Sequence, residues 1–172
     1  LHGEHQGLNA AIALSAAEAF LETPLPDDVV KSGFEQVSII GRFEVLGSNP
    51  LVVVDGAHNP PGAEAAAQTL NQSFPVDGKL ILIVGMTEEK NAEWMLNCLE
   101  ADEAELIICT EAATPRAMAV SDLVAAAKKV ATKVEARKDP KDALDLALTY
   151  ADPDDVVLGT GSLYVVGALR EA

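Results

Sequence analysis

An open α/β sheet of Rossmann-like type is the fold class that this sequence of 172 residues predicts. The sheet is expected to be mostly parallel, with helices on both faces and a β-hairpin at its start. The first observation is that short, nearly continuous runs of Val, Ile and Leu alternate with helical patterns, which is typical of parallel strands buried on both faces. The second is that 49% of the residues are hydrophobic, enough for one full core without disulfides or metals.

The first 40 residues differ in character from the rest. Residues 4–21 are rich in Ala and Leu, with apolar residues on a helical period, and predict one helix. Pro24 and Pro26 break it, and the acidic pair after Pro26 suits the first turn of a short helix that runs to about residue 32. We therefore expect a helical segment over residues 1–40, followed by one α/β domain over residues 41–172.

The α/β domain is expected to open with a hairpin, whose strands cover residues 42–46 and 51–55 and are joined by a turn over residues 47–50. Further strands are predicted over residues 79–85, 105–109 and 155–158, with a short one near residue 134. Helices are predicted over residues 62–73, 92–100, 121–133, 140–150 and 162–170. In such sheets ligands bind beyond the carboxyl ends of the strands, so functional residues are sought in the loops that follow them.

The charge balance argues against nucleic acid as a partner. With 27 acidic and 12 basic residues the formal net charge is -15, which repels phosphate backbones and anionic membranes. No run approaches the roughly 18 apolar residues of a membrane span, and the opening residues do not resemble a signal peptide. Cys98 and Cys109 lie in apolar runs, where cysteine is usually a small buried hydrophobe. A cytoplasmic protein is expected.

The loop over residues 55–62 is the first candidate site. Asp55, His58 and Asn59 follow a buried strand and precede a helix. Taken singly, Asp55 and Asn59 are explained by turn hydrogen bonds, and His58 as a satisfied loop histidine. Together they predict a ligand site, because Asp accepts from hydroxyl or ammonium groups and His donates to a carboxylate or phosphate. The N-terminus of the following helix also favours an anion.

A second candidate loop, residues 159–162, follows the last predicted strand. Its glycines allow backbone amides to approach a ligand, and Ser162 at the helix start either caps the helix or donates outward. Tyr164 is either a ligand contact or a core aromatic. The loop matches a dinucleotide-binding fingerprint only weakly, because Tyr164 stands where the third glycine belongs.

Arg42 is the first candidate for binding phosphate, because it stands beside Gly41 at the start of the hairpin. Pairing with Glu44 on the surface is the alternative. Lys90 and Arg116, in two other loops at the same edge, are lesser candidates of the same kind. The sequence has no Gly-x-x-x-x-Gly-Lys-Ser/Thr loop, so the chain is not expected to cradle ATP phosphates and magnesium by itself. No cluster of His, Cys and carboxylates has metal spacing.

The order of these motifs resembles a known family along the whole chain. The motifs are His5-Gln-x-x-Asn9, Gly41-Arg-x-Glu44, Asp55-Gly-Ala-His-Asn-Pro60, Gly85-Met and Gly159-Thr-Gly-Ser-Leu-Tyr164. They resemble the carboxyl-terminal domain of folylpolyglutamate and dihydrofolate synthases, members of the Mur ligase superfamily. The sequence departs from the family pattern where Ile40 replaces a proline and where Glu89-Lys90-Asn91 replaces Asp-Lys-Asp.

The resemblance implies an ATP-dependent ligase that adds L-glutamate to folate or dihydropteroate. In the family, ATP lies between an amino-terminal P-loop ATPase domain and the domain seen here. A folate carboxylate is phosphorylated, and the amine of glutamate attacks the acyl phosphate. Residues 1–40 would then be the end of the ATPase domain and the linker, with the rest of that domain and the Mg²⁺ ligands outside this chain. The chain alone is expected to be inactive.

The resemblance also implies roles for individual residues. Asn9 would read the adenine, and Arg42 would reach the ATP phosphates and the charge that develops in catalysis. Asp55 and His58 would line the junction of the nucleotide and glutamate sites, with His58 also catalytic. Glutamate would be held by Ser162 and Tyr164.

Two alternatives stay open at this point. One is the carboxyl-terminal domain of another Mur-type amide ligase, which would share Arg42 but differ in the loop over residues 55–60. The other is a noncatalytic module that binds a nucleotide or another small molecule. A P-loop domain encoded upstream of Leu1 would favour a ligase.

Overall fold

A six-stranded sheet forms the centre of the protein in the computed structural model, which describes residues 2–74 and 78–172. The strands are β1 (Glu44–Ser48), β2 (Leu51–Val54), β3 (Leu80–Val84), β4 (Leu106–Cys109), β5 (Val134–Ala136) and β6 (Val156–Thr160). They follow the order β1-β2-β6-β3-β4-β5, and all neighbours pair in parallel except β1 with β2. The open, mostly parallel sheet with a hairpin at its start is therefore confirmed.

Helices cover both faces of the sheet, as the sequence predicts. The helices on the two faces are α3 (Pro60–Ser73), α4 (Ala92–Cys98), α5 (Val120–Ala127), α6 (Pro140–Tyr150) and α7 (Leu163–Arg170). Two earlier helices, α1 (Glu4–Leu21) and α2 (Asp27–Glu35), contribute no residue to the two core layers. In β3, Leu82 packs in the layer of α3, α4 and α5, whereas Ile81 and Ile83 pack in the layer of α6 and α7. Both layers are apolar, so a strand between them is apolar at every position rather than at alternate ones.

Strand β1 of the hairpin begins and ends at other residues than predicted. β1 begins at Glu44 rather than at residue 42, because Phe43 has a left-handed backbone with a φ of 45°. The strand continues through Ser48 after a bulge at Leu46, which leaves only residues 49–50 as the turn. The predicted turn over residues 47–50 is therefore wrong.

Other element boundaries also shift. α5 ends at Ala127 rather than at residue 133, because the chain then forms tight turns that lead into β5. β6 continues to Thr160, beyond residue 158, so the loop before α7 is reduced to residues 161–162. α3 begins at Pro60 rather than at residue 62, with Asn59 as its N-cap. These shifts shorten the loops at the predicted ligand edge and leave them at that edge.

The two cysteines have different surroundings. Cys109 is fully buried, and burial raises the pKa of its thiol to about 12. Cys98 is only half-buried, and its Sγ lies 3.5 Å from a carboxylate oxygen of Glu64. The expectation of a buried cysteine therefore holds for Cys109 and is wrong for Cys98.

The helices α1 and α2 leave many apolar side chains exposed. Gln6 is the buried residue of α1, and α2 has none. Leu8, Ile12 and Phe20 of α1 are exposed, Phe20 by 87%. Within the two described stretches of the chain, no helix is both long and apolar enough to cross a membrane.

Asp155 joins the amino ends of the central strands, opposite the predicted ligand edge. It is buried, and its carboxylate accepts backbone N–H groups from Lys79 at 2.7 Å and from Asp152 at 2.8 Å. Its backbone carbonyl accepts the N–H of Leu51 at 3.1 Å. The bond from Lys79 is the main reason why the pKa of Asp155 is lowered. Ionised Asp155 therefore stabilises the fold.

Replacing Asp155 with asparagine should lower the free energy of unfolding by about 1–2 kcal/mol at neutral pH, because an amide keeps only one of the two acceptor oxygens. The folded-state pKa is depressed, so this stabilisation is present above the unfolded pKa of about 3.9 and is lost as the pH falls through the folded pKa. Urea titrations between pH 7 and pH 3 would measure the difference. Asp154→Asn, at an exposed neighbour, is the matched control. Equal losses in the two variants at pH 7 would contradict this role.

Candidate functional site

The candidate loops gather at the carboxyl ends of four adjacent strands, β2, β6, β3 and β4. β6 lies between β2 and β3, and it pairs in parallel with both. The loops after β2 and β6 therefore come from neighbouring strands of the sheet. Val54, the last residue of β2, lies opposite Gly159 of β6. Residues 55–59 and residues 161–164 consequently emerge side by side.

Asp55 is the buried anchor of the loop after β2. Its Oδ1 accepts the N–H of Ala57 at 2.9 Å, and its Oδ2 accepts the N–H of Phe43 at 3.2 Å. Burial raises the pKa of Asp55, opposed by these two hydrogen bonds and by the nearby charge of Arg42. The interpretation of Asp55 as a turn-bonding residue is thus right as far as these bonds go. The carboxylate ties the loop after β2 to the segment that precedes β1.

His58 and Asn59 occupy the outer part of the same loop. The Nδ1 atom of His58 lies 2.8 Å from the carbonyl oxygen of Gly56, so Nδ1 carries the hydrogen and Nε2 is left as an acceptor in the neutral ring. Asn59 caps α3, its Oδ1 accepting the N–H of Gly62 at 2.8 Å. The turn-bond explanation therefore accounts for Asn59. His58 is exposed and has its second nitrogen free of protein hydrogen bonds within the described ranges.

Arg42 lies against the loop after β2 and is not paired with Glu44. Glu44 instead accepts the N–H of Gly41 at 2.9 Å and pairs with Arg170, also at 2.9 Å, and these contacts lower its pKa, the Gly41 bond most strongly. The alternative prediction, a surface ion pair between Arg42 and Glu44, is therefore wrong. In the described part of the chain, Arg42 has no carboxylate oxygen within ion-pair distance. Its guanidinium lies over Gly56.

The first cavity, of about 450 Å³, brings together the three residues expected at a nucleotide. Asn9 of α1, Arg42 and Asp55 all line it, together with the loop after β2. The amide of Asn9 donates to Gln6 at 3.3 Å, and Gln6 in turn lies 3.0 Å from the ring of His5. His5 and Gln6 also line the cavity, although no functional role is predicted for them from the sequence. Their position within one helix turn of Asn9 was the signal available.

A second, smaller cavity of about 150 Å³ holds the residues expected at glutamate. His58, Ser162 and Tyr164 line it, as does a pair of basic residues, Lys90 and Arg116. The sequence predicts these two basic residues only as lesser candidates for binding phosphate. A bridge between the backbones of residues 87 and 117 brings their two loops together. With one nearby carboxylate, that of Glu89, the lining has a net positive charge.

For both Ser162 and Tyr164 the sequence leaves open a structural role or a contact with a ligand, and the structure answers this differently for the two residues. The Ser162 oxygen accepts the N–H of Tyr164 at 3.2 Å, so Ser162 is the N-cap of α7. Its hydroxyl hydrogen remains available to donate, so capping and ligand binding are compatible. Tyr164 is 48% exposed, which excludes the core-aromatic alternative.

A larger cavity, of about 890 Å³, lies at the opposite, amino-terminal edge of the sheet. Two ion pairs involve its lining, Lys79 with Asp152 and Lys133 with Glu105, and its other charged groups are the acidic side chains of Glu100, Asp102 and Glu103. It contains none of the candidate residues described above. Size alone therefore does not mark the functional site, and the two smaller cavities with convergent polar groups do.

Gly56 is required where Arg42 crosses the loop after β2. A Cβ at this position would overlap the side chain of Leu163 and would lie 2.9 Å from Nη1 of Arg42. Gly56→Ala should therefore lower the free energy of unfolding by about 1–2 kcal/mol, the cost staying modest because Leu163 is half exposed and can turn away. Chemical denaturation would measure it. Gly167→Ala, where a Cβ meets nothing within 4 Å, is the control and should be stabilising. Similar behaviour of both variants would contradict the close approach.

Comparison with known proteins assigns this architecture to a family. The sequence model described as Mur ligase, glutamate ligase domain, matches residues 41–163. The chain belongs to this family. Its Mur ligase relatives include the dihydrofolate synthase/folylpolyglutamate synthase of Mycobacterium tuberculosis, which is 35% identical over 99% of this chain and 38% of its own length.

Solved structures of such ligases share the fold. A structure of Mycobacterium tuberculosis folylpolyglutamate synthase complexed with ADP and AMPPCP has a TM-score of 0.91 and 37% identity, over 99% of this chain and 40% of that one. A structure of E. coli FolC in complex with DHPP and ADP has a TM-score of 0.84 and 26% identity, over 95% of this chain and 38% of that one. This Mur ligase domain thus spans well under half the length of the relatives it matches.

Proposed function

We propose that this chain is the glutamate-ligating domain of an ATP-dependent folylpolyglutamate or dihydrofolate synthase. The observation that carries the proposal is the position of His58, which lines both the cavity of Asn9 and Arg42 and the cavity of Ser162 and Tyr164. A ligase of this kind must bring an acyl phosphate and an amine together at one point. The names of the similar proteins support the choice of folate and glutamate as substrates.

The first half of the proposed reaction concerns the nucleotide. A carboxylate oxygen of the folate bonds to the γ-phosphorus of ATP, and ADP leaves. Asn9 would bind the adenine, and the guanidinium of Arg42, unpaired by carboxylates in the described residues, would bind the phosphates. This step needs positioning and charge stabilisation rather than a nucleophilic side chain, and a planar guanidinium supplies both.

The second half concerns glutamate. The ammonium group of glutamate loses one proton to become the attacking amine, and its nitrogen bonds to the acyl carbon. As the amide forms, phosphate leaves and takes the second proton of the nitrogen. His58 would accept the first proton at Nε2, because its Nδ1–H is held by the carbonyl of Gly56. Ser162 and Tyr164 would donate hydrogen bonds to glutamate carboxylates, and Lys90 and Arg116 would supply the opposite charge.

The domain division follows from the same proposal. Residues 1–40 would be the end of the ATPase domain and its linker, and residues 41–172 the ligase domain, which agrees with a family match that begins at residue 41. The exposed apolar side chains of α1 and α2 would then pack against the ATPase domain. Within residues 2–74 and 78–172 there is no group of three or more His, Cys, Asp or Glu side chains that could hold a metal ion. In the proposed enzyme, which would be cytoplasmic, Mg²⁺ would be held by the ATPase domain and by ATP, as the resemblance to the family implies.

The decisive experiment compares the chain alone with a longer protein that contains the P-loop ATPase domain. Both are incubated with ATP, Mg²⁺, labelled glutamate and either a folate or dihydropteroate. We expect amide formation by the longer protein and none by the chain alone. Amide formation by the chain alone would refute the division of labour. Use of a peptidoglycan precursor in place of folate would favour another Mur-type ligase, and no ligation with any acceptor would favour a noncatalytic binding module.

A further inference from the structure

We propose that Phe43 is a positioning residue that fixes the guanidinium of Arg42 at the first cavity. The proposal concerns where Arg42 is held, and it rests on the proposed function only for what Arg42 binds. Phe43 does not line either cavity. Its effect would be transmitted through the backbone and through its packing.

The backbone of Phe43 is unusual for its place in the fold. Among the described residues other than glycine, Glu22, Phe43 and Glu100 have positive φ angles. Glu22 and Glu100 are exposed and lie just after helices, where a left-handed residue commonly ends the helix. Phe43 is buried and lies between Arg42 and the first residue of β1. A left-handed conformation is unfavourable for a residue with a Cβ and persists only where the surroundings impose it.

Contacts on both sides of Arg42 impose this conformation. The N–H of Phe43 donates to Oδ2 of Asp55 at 3.2 Å, and the carbonyl of Gly41 accepts the N–H of Gly56 at 2.8 Å. The ring of Phe43 stacks on that of Phe74, with 5.5 Å between centroids and 19° between planes. Residues 41 and 43 are therefore each tied to the loop after β2 or to the core, and Arg42 lies between two fixed points.

The bend at residue 43 determines where Arg42 lies. An extended residue at this position would continue the line of β1, and Arg42 would follow the sheet edge. The left-handed turn instead leaves the guanidinium over Gly56, beside the cavity that also contains Asn9 and Asp55. If Phe43 only filled the core, changing it would alter stability without altering the order of the Arg42 side chain.

Nuclear magnetic resonance of the ¹⁵N-labelled chain separates these two roles. The heteronuclear Overhauser effect of the Arg42 Nε–H group reports its order directly. In Phe43→Leu, which keeps an apolar side chain but loses the ring stack, it should fall to the level of the exposed Arg116. Phe43→Gly relieves the backbone strain and should lose Arg42 order as well. Phe20→Leu, at a residue 87% exposed, is the matched control and should leave Arg42 ordered.

A second measurement connects this order to ligand binding. In the longer protein, Phe43→Leu should weaken ADP binding about tenfold and leave adenosine binding unchanged, and it should have no added effect in an Arg42→Ala background. If Phe43→Leu fails to fold, Phe74→Leu removes the other ring and takes its place. An Arg42 signal as ordered in these variants as in the parent chain would overturn the proposal. Lost order with unchanged ADP affinity would support the positioning role and contradict the phosphate role of Arg42.

Discussion

Replacing Arg42 with alanine should lower the turnover of the longer, ATPase-containing protein by about 2–4 kcal/mol, which is roughly 30- to 1000-fold in rate. The reason is that the guanidinium has no carboxylate within ion-pair distance in the described part of the chain, so under the proposed function its charge would be available to the ATP phosphates. For the same reason the free energy of unfolding should hardly change. The side chain is only half-buried, and no ion pair within the described ranges is lost with it.

Steady-state kinetics and thermal melts on the same preparations would test this. Arg42→Lys should recover only part of the activity, because an ammonium group cannot reproduce the planar, two-pronged guanidinium. Arg137→Ala, at another half-buried arginine just after the edge strand β5, is the matched control and should leave turnover unchanged. A large fall in melting temperature with full activity per folded molecule would show that Arg42 is structural.

Removing polar groups from the second cavity should raise the Michaelis constant for glutamate much more than that for ATP or folate. Tyr164→Phe, His58→Ala and Ser162→Ala should each cost about 1–3 kcal/mol, or roughly 5- to 150-fold, because each loses a hydrogen bond to a charged ligand. His58→Ala should also lower turnover, because it removes the proposed proton acceptor. Tyr164→Phe is the cleanest change, since the tyrosine is 48% exposed and its hydroxyl has no protein partner within the described residues. Tyr150→Phe, on α6, is the matched control.

Ser162→Ala needs a separate stability measurement, because it also removes the cap of α7 and so about 0.5–2 kcal/mol of stability. Asp55→Asn should behave differently from the three variants above. Its carboxylate holds both Phe43 and Ala57, so both the nucleotide and the glutamate constants should rise. Equal increases for ATP and glutamate in Tyr164→Phe would contradict a glutamate-specific second cavity.

The fold and the location of the site could be predicted because the signals are local. Runs such as Leu80–Val84, apolar at every position, mark strands buried on both faces, and the loops after parallel strands must share one edge. That His58, Ser162 and Tyr164 share the carboxyl edge of the sheet could therefore be expected, whereas their proximity depends on the pairing of β6 with β2. The same pattern also predicted the order of helices and strands, with errors mainly at their ends.

The features that could not be predicted from the sequence depend on contacts between residues distant along the chain. Glu44 stands two positions from Arg42, which suggested a pair, but its partner is Arg170 on the last helix. The left-handed backbone of Phe43 depends on contacts with Asp55 and Phe74, and the residues next to Phe43 in sequence indicate neither contact. Taken singly, the loops of Lys90 and Arg116 suggest only phosphate contacts. The pairing of residues 87 and 117 is what brings them into one cavity.

The two cavities meet at His58 but are otherwise assembled from different parts of the sheet. The first is built from α1, the segment before β1, the loop after β2 and the start of α3. The second is built from the loops after β3, β4 and β6 and the start of α7. We therefore expect the choice of incoming amino acid and the use of chemical energy to be separately adjustable. Under the proposed function, changes around Lys90 and Arg116 would let the complete enzyme couple a different amine to the same acyl phosphate. Related domains would in this way make new products while keeping the same nucleotide site.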